Sequence, residues 1–143
     1  QSSGAKASAI VLKKEFTDVK DLLCIDYTSA YSTPSLDKLV RTFVYDRQGK
    51  GSFTVGDEFT ANAPIRFETA ITTQANWKII DDTHLLLTTG TEQMTVTIEA
   101  SGKVAFTSET IEVNSPAYTR IGISLKEQSK DGYIRLTMRT KQL

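Results

Sequence analysis

The sequence is poor in the residues that most often carry chemistry. One cysteine in 143 residues excludes an intrachain disulfide framework and a thiolate-rich zinc site. One histidine excludes a multi-histidine metal centre. Excess charge of one sign is lacking too: 17 basic and 17 acidic side chains cancel. General nucleic-acid binding needs many uncompensated Lys and Arg, so it is not expected, although a local basic patch is compatible with the balance. No apolar run approaches the roughly 20 residues that span a bilayer, and no membrane partner is expected. Gln1-Ser2-Ser3-Gly4-Ala5-Lys6 has no apolar stretch behind a basic start, so no signal peptide is expected in this chain. Gln48-Gly49-Lys50-Gly51 has two glycines but no helix behind it to receive a phosphate. No cofactor and no metal are expected.

What is abundant is β-branched. There are 20 Thr, 11 Ile and 8 Val, side chains that suit a pleated, half-buried surface and are stiff in helices. The size fits one domain able to bury a core without staples. Residues 1–9 are small and polar and are expected to be a flexible N-terminal segment; residues 10–143 are expected to form a single β-sandwich domain.

Period 2 dominates that stretch. Leu39, Arg41, Phe43 and Tyr45 share one face, with Val40, Thr42, Val44 and Asp46 on the other. Ile65, Phe67, Thr69, Ile71 and Thr73 alternate with Arg66, Glu68, Ala70 and Thr72. Met94, Val96 and Ile98 alternate with Thr95, Thr97 and Glu99, and Ile121, Ile123 and Leu125 with Arg120, Gly122 and Ser124. Shorter strands are read at Ile10–Leu12, Leu22–Ile25, Ser52–Phe59, Trp77–Ile80, Leu85–Thr89, Val104–Phe106, Ile111–Val113 and Tyr133–Thr140. Lys13 to Lys20 is charged and weakly helical at best. Breaks are read at Ser29–Leu36, Gln48–Gly51, Ala61–Pro64, Asp81–Thr83, Ser101–Gly102 and Lys130–Gly132. The fold class is all-β: an antiparallel two-sheet β-sandwich of roughly ten strands.

Chemistry-bearing residues are few. His84 stands at a turn entering an apolar strand, with no nucleophile elbow to serve. Cys24 lies between Leu23 and Ile25 and reads as an inert core residue. Asp57-Glu58 and Asp81-Asp82 are sequence neighbours and point to opposite faces of a strand. Arg41 shares its face with Leu39, Phe43 and Tyr45, and a buried guanidinium must be paired. The reading is a structural ion pair drawn from Arg41, Asp57 and Asp26. On the last strand Tyr133, Arg135, Arg139 and Lys141 fall opposite Ile134, Leu136 and Met138. They are the candidate glycan contacts, set against a plain solvated strand whose charges discourage edge pairing.

Three segments carry a resemblance. Asp26-Tyr27-Thr28-Ser29-Ala30-Tyr31 is followed by Leu39-Val40-Arg41-Thr42-Phe43-Val44-Tyr45, then by Phe53-Thr54-Val55-Gly56-Asp57-Glu58-Phe59 and a strand around Phe67. In order and spacing they resemble the C-terminal β-sandwich region of the heparinase II/III-like polysaccharide lyases. The resemblance implies a modular parent, with an α/α helical toroid ahead of the β part. It implies an acidic polysaccharide cleaved by β-elimination through a Tyr and a His in the cleft between them. Some members hold a metal with His and Asp. Those histidines lie upstream of the matching segment, so no catalytic or metal residue is carried over.

What the resemblance implies is therefore a non-catalytic C-terminal domain. Its partner would be the catalytic domain of the parent chain, itself periplasmic or secreted, and an acidic polysaccharide is a second candidate partner. Whether the isolated chain is an enzyme stays open, with no activity expected of it. The alternative is an autonomous carbohydrate-binding or adhesive module, which should show a groove with convergent polar groups and a tyrosine or tryptophan.

Overall fold

The computed structural model describes residues 7–112 and 117–141. Among them are eleven strands: β1 (Ile10–Phe16), β2 (Lys20–Asp26), β3 (Leu36–Asp46), β4 (Ser52–Ile65), β5 (Glu68–Thr73), β6 (Asn76–Asp81), β7 (His84–Thr89), β8 (Glu92–Ala100), β9 (Val104–Ile111), β10 (Tyr118–Leu125) and β11 (Ser129–Lys141). One 3-10 turn, Thr28–Ala30, sits in the β2–β3 connection. The strands form an antiparallel sandwich of two unequal sheets. The large sheet has the order β1-β2-β3-β4-β11-β8-β7-β6, and the small one β5-β10-β9. Residues 1–6 of the expected flexible segment, and Val113 of the expected Ile111–Val113 strand, lie outside the described residues. Ser8 is tied down, its N–H and C=O bonded to the Ser29 hydroxyl.

Alternation does the sorting. Leu85 and Leu87 on β7, Val96 and Ile98 on β8, Ile134 and Leu136 on β11, and Phe59 on β4 are all buried on one face of the large sheet. Phe67, just ahead of β5, and Ile121, Ile123 and Leu125 of β10 meet them from the other side. Phe59 stacks on Phe67 across the interface, with ring centroids 4.5 Å apart. At the β3–β4 hairpin Gly49 and Gly51 both have positive φ, which a side chain would strain.

Several boundaries differ from the sequence expectation. Lys13, Lys14, Glu15 and Phe16 continue β1 rather than forming a helical stretch, paired with Cys24, Leu23, Leu22 and Asp21. Every residue of this edge strand is exposed, so burial imposed no alternation on its sequence. Ala61–Pro64 does not break β4. The strand runs to Ile65, held by Leu36 opposite Ala61 and Ser129 opposite Ile65, and both partner registers shift there. Pro64, with no N–H to donate, falls at the irregular end of the strand. Val104–Phe106 and residues up to Ile111 form one strand rather than two.

Lys130-Asp131-Gly132 lies inside β11 rather than in a turn. Gly132 is needed there for close packing: a Cβ would sit 2.6 Å from the Ser101 hydroxyl and 3.1 Å from the Phe59 ring. Cys24 is half-buried, not core. It pairs with Thr42, whose hydroxyl donates to its sulfur at 3.5 Å, on the face opposite Leu39 and Arg41.

The inter-sheet stack gives a direct test. Phe59 is 1% exposed, and truncating such a side chain costs about 3–5 kcal/mol. Phe59→Ala is expected to lower unfolding stability by that order in urea titration. A change under about 1 kcal/mol, the scale of an ordinary surface substitution, would place Phe59 outside the core.

Candidate functional site

The best-defined polar cluster is inside the sandwich. Register sets Arg41 on β3 directly opposite Asp57 on β4. The guanidinium grips the carboxylate side-on, Nε donating to Oδ1 at 2.6 Å and Nη2 to Oδ2 at 2.7 Å. Asp57 is only 2% exposed. Two hydroxyls complete its shell: Tyr27 donates to Oδ1 at 2.9 Å and Thr69 to Oδ2 at 2.8 Å. A carboxylate has about four acceptor positions, and four donors fill them. Thr69 belongs to β5, so the cluster spans both sheets. The Arg41 carbon also stands 5.3 Å from the Tyr27 ring centroid and 6.0 Å from that of Phe43. Hydrogen bonding to Asp57 raises the pKa of Arg41 above its ordinary value. Burial, followed by the Asp57 charge, raises that of Tyr27.

Asp26 is not part of this pair. Ile25 lies opposite Arg41, so Asp26, one residue on, points to the other face. Its carboxylate accepts from the Thr28 N–H at 3.0 Å and hydroxyl at 2.6 Å, which lowers its pKa. Tyr27 and Thr69 escaped the sequence reading. The available signal was the four-acceptor capacity of Asp57, which an arginine fork only half satisfies.

Beyond Arg41 the inner face of the large sheet stays apolar while its cover runs out. Leu23, Phe43 and Val55 lie in one cross-strand row, and Tyr45 and Phe53 in the next. Tyr45 is 45% and Phe53 38% exposed. Phe43 and Phe53 stack at 6.4 Å; Asp21, ion-paired with Arg47 over the Tyr45 ring, separates this row from Phe16 on β1, which is 66% exposed.

The opposite face carries a groove of about 550 Å³ over Gly56, lined by Thr42, Thr54, Glu58, Tyr133 and Arg135 among others. Arg135 donates to Glu99 at 3.0 Å and stands 5.8 Å from the Tyr133 ring centroid. Arg139 and Lys141 continue this face, exposed, opposite Thr95 and Gln93. His84 caps a turn remote from both features: its Nδ1 is 2.9 Å from an Asp81 oxygen. The Thr83 N–H, then His84, hold the Asp81 carboxyl at about 2. Among the described residues no group of three or more His, Cys, Asp or Glu is placed to hold a metal ion.

By sequence, the chain matches no family model and no curated protein. Solved structures do match. A heparinase III aligns with 92% of this chain at a TM-score of 0.68 and 18% identity. The fold is similar to that of one heparinase III domain. A second heparinase III, the BT4657 gene product, covers 93% at 0.68 and 12% identity. A heparan sulfate lyase HepC mutant from Pedobacter heparinus covers 94% at 0.69 and 14% identity. This chain spans only 21–22% of those chains. At such identities the likeness is one of fold alone.

Two predictions follow from the buried carboxylate. Arg41→Ala leaves Asp57 as a buried anion with only two hydroxyl partners, and breaking a buried pair costs about 3–5 kcal/mol. The expected loss lies at the low end, because the Arg41 side chain is 31% exposed. A double change, Arg41→Met with Asp57→Leu, should recover part of it, and urea midpoints at pH 7 read both. The second concerns alkali. The folded-state pKa of Tyr27 is raised above the unfolded value of about 10. Its contribution is therefore complete below that pH and lost as pH rises past it, when the unfolded chain sheds the proton and the folded chain does not. Wild-type stability should fall more steeply above pH 10 than that of Tyr27→Phe; parallel curves would place the phenol in an ordinary environment.

Proposed function

We propose that the chain is a non-catalytic β-sandwich domain of a heparinase-like polysaccharide lyase, supporting a catalytic part that cleaves acidic polysaccharide by β-elimination. The observation that carries this reading is the half-covered inner face. An apolar sheet face continuing past its cover, with Tyr45 and Phe53 partly in water beside the Asp21–Arg47 pair, suits burial against more protein. The fold match supports it, because the similar solved chains are several times longer than this one. The occupant of that face is then the catalytic part of the parent chain, and the parent works in the periplasm or outside the cell, where such polysaccharides lie. Arg139 and Lys141 are the exposed cations through which the domain would meet an acidic polymer.

β-Elimination beside a uronic acid needs a base at C5, neutralisation of the carboxylate and an acid for the leaving oxygen. His84 is engaged with Asp81 at a remote turn, and Tyr27 is sealed against Asp57. A second reading, an autonomous carbohydrate-binding module, draws on the groove over Gly56.

The purified chain is expected to release no unsaturated uronate, read by ultraviolet absorbance, from heparan sulfate, chondroitin sulfate or alginate. Turnover abolished by His84→Ala would make the chain an enzyme. In parallel, Tyr45→Thr with Phe53→Thr should reduce binding of a hydrophobic dye to the isolated chain, with a modest fall in melting temperature from the lost Phe43–Phe53 stack. Unchanged dye binding would refute the uncovered docking face.

A further inference from the structure

We propose that the groove over Gly56 binds a neutral, hydroxyl-rich oligosaccharide. It lies on the face opposite the apolar docking surface, so this inference stands whether or not the chain serves a lyase.

The glycine itself is the first observation. Gly56 sits in the interior of β4, a central strand of the large sheet. Glycine there weakens a strand, by about 0.5–1 kcal/mol relative to Ala. Its backbone does not require it: the positive-φ glycines are 49, 51 and 90. Packing does not require it either. A Cβ at Gly56 would meet only the Arg135 side chain, at an ordinary 3.7 Å. This contrasts with Gly122, where a Cβ would fall 2.5 Å from the Thr107 hydroxyl. What the missing side chain does provide is depth. It deepens the floor of an open groove of about 550 Å³ that runs across β3, β4 and β11, within the roughly 300–1,000 Å³ typical of small-molecule sites.

The lining states the ligand class. Thr42, whose proton goes to Cys24, and Thr54, bonded to the Thr137 hydroxyl, keep acceptor positions, Glu58 accepts, and Arg135 donates. Tyr133, 39% exposed, presents a ring at the groove wall on which the C–H face of a pyranose can lie. The charge balance at this spot favours a neutral ligand over an anionic one. Arg135 is already neutralised by Glu99 at 3.0 Å, and Glu58 adds a further negative charge to the wall. A sulfate or carboxylate finds no uncompensated cation in the groove, whereas sugar hydroxyls can donate to carboxylates and accept from the guanidinium. A peptide adding as a strand is disfavoured by topology: β4 and β11 are paired on both edges, so neither offers free backbone groups.

The test is titration of the whole ¹⁵N-labelled chain, followed by amide chemical shifts. The probes are neutral hexasaccharides of glucose, mannose, xylose and galactose, and heparan sulfate, all at millimolar concentration. At least one neutral probe should shift the amides of residues 54–58 and 133–135. Gly56→Val, which fills the groove with a residue suited to strands, should weaken that binding about tenfold or more with no fall in melting temperature. Tyr133→Ala and Glu58→Gln, both at exposed positions, should weaken it as well. The proposal is overturned if no neutral probe shifts those amides. It is equally overturned if Gly56→Val folds and binds as wild type, or if heparan sulfate occupies the groove more tightly than every neutral probe.

Discussion

A carboxylate out of reach of water organises this sandwich. An ionised Asp57 in an apolar interior would be very costly alone. It is tolerable because four donors from three segments converge on it: Arg41 twice from β3, Tyr27 from the turn after β2, and Thr69 from β5. Each donor must arrive in register, and a one-residue slip of β3 on β4 would turn Arg41 to the outside. The cluster therefore specifies alignment within the large sheet and the placement of the small sheet over it. Beside it, Phe59 on Phe67 adds the apolar half of the same junction.

The two faces of the large sheet do different work as a result. Up to Arg41 the inner face is sealed by β5, β10 and β9. Beyond it the alternation of β3 and β4 continues to present Phe43, Tyr45 and Phe53 with less and less above them. The outer face mixes threonines, glutamates and arginines with Val40, Val44 and Leu22, and is interrupted at Gly56. One sheet thus offers an apolar surface on one side and a polar groove on the other, and the two share β3 and β4.

Much of this was legible in the sequence because burial writes period 2. β3, β5, β8 and β10 were visible as alternations, and the pairing of Arg41 could be asked for from the apolar company it keeps. What escaped had lost that signal. β1 is exposed throughout and carries no alternation. The ends of β4 and β11 are irregular, with shifted registers, so their Pro64 and Asp131-Gly132 read as breaks. Cys24 and Asp26 were assigned by their sequence neighbours, whereas the register with β3 decides which way each points. Tyr27 and Thr69 reach Asp57 from 30 and 12 residues away, distances at which local pattern says nothing.

The position of β11 has a consequence for how the chain acquires its shape. β1 to β4 form one meander and β6 to β8 another, each from neighbouring hairpins, but the two meet only through β11, inserted between β4 and β8. Until that late segment arrives, the inner edges of both meanders present unpaired backbone. Such edges are templates for wrong partners, and contacts of this sequence separation form slowly. The strand that bears Ile134 and Leu136 is thus the keystone of assembly, and a chain cut short before Ser129 would be two half-sheets searching for a partner.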